Sequence, residues 1–221
     1  MLFDSSLDAL SSEKCRVDLP RYFSDPTHRV GMGPEPVVTN QPILHTSYEF
    51  FLLIADATKL ARLPQCIGIT QFSKYKQLQR QYSRWESAME AHGDLCGILF
   101  TLALQVLLFK ADPELKTSDL DRKIGECLRE SIKVIPLIDQ GCYFTSFLLW
   151  PLAIFASVAS FTEEIFFMRR CISLLATSST SGQATYVLRR LERIWASNDG
   201  LGNQQQGNQR CSGLQLLLDG E

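Results

Sequence analysis

The stretch from Gln140 through Thr162 contains no Asp, Glu, Lys or Arg over 23 residues. At helical rise such a run is long enough to cross a bilayer, so the first question is whether it spans a membrane or fills the interior of a protein in water. A second charge-free run, Leu95 to Phe109, is shorter than a span requires.

The segments around these two runs favour the interior. Five others carry apolar residues at helical spacing on one face only: 47–63, 71–90, 118–134, 163–176 and 183–197. In 47–63 the stripe is Tyr48, Phe51, Leu52, Ala55, Lys59 and Leu60, and Pro64 stops it. In 71–90 it is Tyr75, Leu78, Tyr82, Trp85 and Met89. Ile124, Leu128 and Ile132 share a face in 118–134, with N-cap candidates at Thr117, Ser118 and Asp119 and a break at Pro136. Thr162 caps the next helix, Glu163 and Glu164 fill its first turn, and Ile165, Phe166, Met168, Cys171, Ile172 and Leu175 make its apolar side. The last stripe is Val187, Leu188, Leu191, Ile194 and Trp195.

Each stripe needs shielding from water, and helices hydrophobic all round are the partners that supply it. Burial of one Leu- or Phe-sized side chain is worth about 1.5–3 kcal/mol, so the stripes together outweigh the preference of one segment for lipid. Within a single long helix Pro151 would also leave the Phe147 carbonyl without its backbone donor. The expected fold is therefore all-α, an irregular bundle of about seven helices around two strongly hydrophobic central ones, with no segment of period-two alternation. A membrane-associated protein using 140–162, or a non-catalytic helical interaction protein, is the alternative.

The chain divides into three regions. Residues 1–44 hold five of the nine prolines and show no useful periodicity, as expected of an irregular arm. Residues 45–198 are the helical domain. Residues 199–221 read as a polar, disordered tail with a short apolar end, in which Leu214, Leu217 and Leu218 fit a short helix able to dock in a groove.

The seven cysteines are nowhere closer than the fifteen positions between Cys127 and Cys142, so metal-cluster and redox spacings are missing. They read as reduced thiols. The acidic start MLFDSSLDALSSEK lacks the basic, apolar pattern of a secretory leader, which leaves the cytosol or nucleus as the compartment. A net charge of -2 excludes an overall polybasic binder of nucleic acid or membrane.

Candidate chemistry is sparse. His28, His45 and His92 belong to no ligand pattern, and no nucleophile elbow, phosphate loop or dinucleotide fingerprint is present. The expected catalytic, cofactor-binding and metal sites are none. Lys74, Lys76, Arg80 and Arg84 interleave with Tyr75, Tyr82 and Trp85, a pattern compatible with phosphate contact and base stacking. The same aromatics lie on the apolar stripe, however, so a solvated basic flank is the stronger reading.

The run from Leu149 to Gly200 carries a resemblance. Its features are Leu149-Trp150-Pro151-Leu152, small residues through Ala156 and Ala159, acids at Glu163-Glu164, a basic position at Arg169-Arg170, and a closing Leu191, Glu192 and Trp195. Together with HGDLCGILFTLALQVLLFK upstream, they resemble the regulatory domain of fungal-specific transcription factors over about residues 45–200. The resemblance implies an all-helical, non-catalytic domain, nuclear residence with the cytoplasm as the other compartment open to it, and control of metabolic or secondary-metabolite genes. It implies protein partners, namely a DNA-binding factor, a co-regulator or a second copy, and a small apolar ligand between helices is compatible with it. Members that bind DNA carry six closely spaced cysteines, whereas the arm before residue 45 holds Cys15 alone. DNA is then reached only indirectly, unless a zinc cluster lies outside this chain.

Overall fold

The computed structural model describes residues 48–63, 69–92, 95–138, 148–178, 182–199 and 209–220. Among them are eight α-helices and no strand: α1 Tyr48–Ala61, α2 Ile69–His92, α3 Leu95–Ala111, α4 Thr117–Val134, α5 Leu149–Val158, α6 Thr162–Ser178, α7 Gln183–Asp199 and α8 Gln209–Asp219. A 3-10 turn, Ile135–Leu137, follows α4 and contains Pro136.

The long charge-free run does not form one long helix. Among its described residues, α5 has ten residues, about 15 Å at helical rise and half of a hydrocarbon core, and it ends at Val158 with Ala159 as its C-cap. Pro151 sits in the first turn of α5, where the amide it lacks would have had no partner within the helix. The proline therefore breaks nothing; it stands where a helix begins. Residues 140–147 of the run lie outside the described residues, and no described helix is long and apolar enough to cross a membrane.

All ten residues of α5 are buried, and Leu99, Phe100, Leu104 and Leu107 are among the buried residues of α3. Helix α3 packs against α1, α2, α4 and α5, while α5 packs against α3, α4, α6, α7 and α8. A line of aromatic rings joins the first helices to α5. Phe50 lies 5.3 Å from Trp85 and 6.4 Å from Phe100, and Phe100 stacks on Trp150 at 5.4 Å with 18° between the planes. Such ring pairs add about 0.5–1.5 kcal/mol beyond their area of burial.

Two further differences from expectation concern helix ends. The N-cap of α4 is Lys116, which makes no side-chain cap bond, so none of Thr117, Ser118 and Asp119 serves as the cap. Thr162 is likewise the first residue inside α6. The first helical bond is accepted by the Phe161 carbonyl, and Glu164 reaches back to accept from the Phe161 and Ser160 amides at 3.3 and 3.0 Å. That is the reciprocal half of a capping box.

The larger difference is at the C-terminal end, where α8 supplies the helix beyond the seven expected. It packs against α5 and α7 with Leu214, Leu217 and Leu218 buried. The groove that this leucine pattern suits is in its own chain. Helix α8 stops at Gly220, whose φ of 87° is the left-handed conformation that glycine adopts without a Cβ penalty.

The two buried indoles differ in one respect. Trp195 Nε1 donates to the Ala156 carbonyl at 2.9 Å, whereas Trp150 Nε1 has no partner among the described residues. Trp195→Phe is expected to cost about 1 kcal/mol more than Trp150→Phe, because only the former breaks a buried hydrogen bond. Urea unfolding of the two variants checks this, and equal losses would contradict it.

Candidate functional site: a buried arginine junction and the outer face of α6

The aromatic stripe of α2 is turned into the fold. Tyr75 and Tyr82 are buried, and Trp85 is half-buried against the core. Lys74 pairs with Asp56 and Lys76 with Glu114, each at 3.4 Å, and Lys76 also lies over the rings of Phe72 and Tyr75. The aromatics are thus closed to base stacking, and two of the four cations already have acids. His92 ends α2 and its side chain lies outside the described residues, as do His28 and His45. No group of three His, Cys, Asp or Glu side chains among the described residues is placed to hold a metal ion.

Cys127, Cys171 and Cys211 are free thiols. Burial pushes Cys127 up to about 12, helped by the nearby Glu126 and Glu86 carboxylates. Burial also pushes Cys211 up to about 11, against the pull of the Lys110 ammonium. Above the ordinary thiol range the unfolded chain has shed protons that the folded chain still holds. Stability therefore falls as pH rises from about 9 toward 11, by up to about 1.4 kcal/mol per pH unit for each thiol. Lys110 acts in the opposite direction. Its value is lowered, chiefly by burial, so the folded chain loses that proton first and gains stability as pH approaches 10.5. Urea unfolding across this range should show a falling midpoint, with a shallower fall in Cys127→Ala.

Where α4, α6 and α8 meet, the structure buries a charged junction. The Arg210 side chain is 7% exposed and the Glu164 side chain 13%. The guanidinium forks onto both Glu164 oxygens at 3.0 Å, donates to the Val158 carbonyl at 2.9 Å, and lies 5.3 Å over the Phe161 ring. Asp121 stands 3.9 Å from Arg210 Nε, and its carboxyl is held above the usual range, first by burial, with the guanidinium opposing. One carboxylate thus caps α6 and anchors α8 at once. A second arginine, Arg190, donates to the Leu217 carbonyl at 2.8 Å and fixes α8 to α7. Charge on a tail read as polar gave no sign that Arg210 turns inward.

Residues that carried the family likeness are brought together on the neighbouring helices. Arg169 of α6 forks onto Glu192 of α7 at 2.7 and 2.8 Å and lies 5.1 Å over the Trp195 indole. Through Trp195 this cluster reaches the α5 backbone at Ala156.

The outer face of α6 is different in kind. Phe166, expected on the buried side, is 65% exposed, and Leu174 is also exposed. Core positions Met168, Ile172 and Leu175 lie on the opposite side of the helix, and the 100° step places Phe166 away from them, so its exposure was already written in the spacing. Thr162, Glu163, Phe166, Phe167 and Arg170 line an open depression of about 420 Å³. Its two charges, Glu163 and Arg170, are of opposite sign.

No curated protein and no solved structure matches the chain. The sequence of residues 41–211, the span that contains α1 to α7 and runs into α8, does match the fungal-specific transcription factor domain. The chain belongs to the family of fungal-specific transcription factor domains.

Proposed function

We propose that this chain is the effector region of a fungal zinc-cluster-type transcription regulator, that it works in the nucleus, and that it controls a set of metabolic or secondary-metabolite genes. The observation that carries this reading is the family match across residues 41–211. The all-helical body supports it. The domain engages protein partners, a DNA-binding factor or a co-regulator, and reaches DNA through them or through a zinc cluster carried outside this chain.

Deletion of the coding sequence followed by transcript profiling tests the reading, together with localisation of a tagged copy expressed at its native level. A changed, coherent set of transcripts and nuclear signal are the expected results. Unchanged transcripts under inducing conditions would overturn it.

A further inference from the structure

Helix α6 exposes one lengthwise stripe. Glu163 and Arg170 are exposed two turns apart on its midline, with Phe166 beside them and Phe167 half-buried at the edge of the depression. Neither Glu163 nor Arg170 forms an ion pair with another described residue, in contrast to Arg169, which is committed to Glu192. A stripe with one acid, one base seven residues on and a large apolar side chain between them is complementary to its own reverse. Laid antiparallel on a second copy, Glu163 faces Arg170 of the other chain, Arg170 faces its Glu163, and the two Phe166 rings meet at the centre. The register centred on Arg170 would instead set two guanidiniums face to face, so charge selects the first arrangement.

We propose that a second copy of this chain docks on the outer face of α6, forming an antiparallel two-fold dimer in which each Phe166 enters the partner's depression between two reciprocal Glu163–Arg170 pairs. A single helix pair buries less than a permanent dimer needs, so the association is a micromolar, reversible one. The dimer is a property of this face and stands independently of the regulatory reading, which could fail without affecting it.

Sedimentation of the full chain over roughly a hundredfold concentration range should show a reversible monomer–dimer equilibrium. Phe166→Glu should weaken association at least about tenfold, because it places two carboxylates at the dyad. Glu163→Arg and Arg170→Glu should each weaken self-association, since each chain then carries like charges at both positions. Mixed together, the two charge variants should associate at least as tightly as the unaltered chain, every pair being complementary again. All three substitutions are on exposed positions, and unchanged helical circular dichroism verifies the fold. A chain that stays monomeric throughout, a dimer indifferent to Phe166→Glu, or a mixture no tighter than its separate components would overturn the proposal.

Discussion

Arg210→Met is expected to destabilise the fold by about 3–5 kcal/mol, the usual cost of removing one partner from a buried ion pair. The reason lies with what remains. Glu164 keeps its bonds from the Ser160 and Phe161 amides but loses both forks of the guanidinium, and the Val158 carbonyl loses its side-chain donor. Asp121 loses the cation that had been holding its carboxyl down against burial. Adding Glu164→Gln should return much of the loss, because an amide can still accept from the Ser160 and Phe161 amides and carries no charge to strand. The pH dependence provides a second signature. A raised folded-state value means that the folded chain binds the Asp121 proton more readily than the unfolded chain does, and losing Arg210 raises it further. The deficit of Arg210→Met should therefore shrink as pH falls toward the ordinary carboxylate range. Equilibrium urea unfolding at neutral and mildly acid pH measures all three effects. A single-variant loss below about 1 kcal/mol would mean that α8 does not depend on this junction.

What could be read from the sequence follows from how far apart the deciding residues lie. Stripes such as Tyr75, Leu78 and Tyr82 repeat within one helix, and their burial follows from local spacing. The fates of α5 and α8 do not. A charge-free run says that a segment is buried and says little about where its helix starts, and Pro151 proved to mark a beginning at Leu149. Arg210 is 46 residues from Glu164 and 52 from Val158, and only tertiary placement turns a basic residue of a polar tail into an anchor. Among the residues that carried the family likeness, Trp150, Glu164, Arg169, Glu192 and Trp195 all join one helix to another. They identify a scaffold. The outer face of α6, proposed above as a docking face, contributes only Glu163 and Arg170 to that likeness, and neither forms an ion pair with another helix among the described residues.

The docking of α8 rests on steric fit as well as charge, and Gly213 isolates the steric part. A Cβ built at Gly213 would stand 2.1 Å from the Ser157 carbonyl oxygen and 3.3 Å from an Ile194 methyl. The obstacle is backbone of a helix buried along its whole length, so it is α8 that must move. A displacement of about 1 Å would loosen Leu214 and Leu217 against α5 and lengthen the bonds made by Arg210 and Arg190, and such overpacking costs about 1–3 kcal/mol. Alanine is also favoured over glycine inside a helix by about 1 kcal/mol, so an undocked α8 would make Gly213→Ala stabilising. The two cases differ in sign. Gly125→Ala on α4 is the matched control, since its Cβ would meet only the Arg210 side chain at 3.6–3.8 Å, an ordinary contact. It should be neutral or stabilising by up to about 1 kcal/mol. Thermal unfolding of the two variants, with hydrogen exchange of the α8 amides, should show Gly213→Ala destabilised and α8 exchanging faster, and Gly125→Ala no less stable than the unaltered chain. A stabilised Gly213→Ala chain would mean that α8 does not lie against Ser157 in solution.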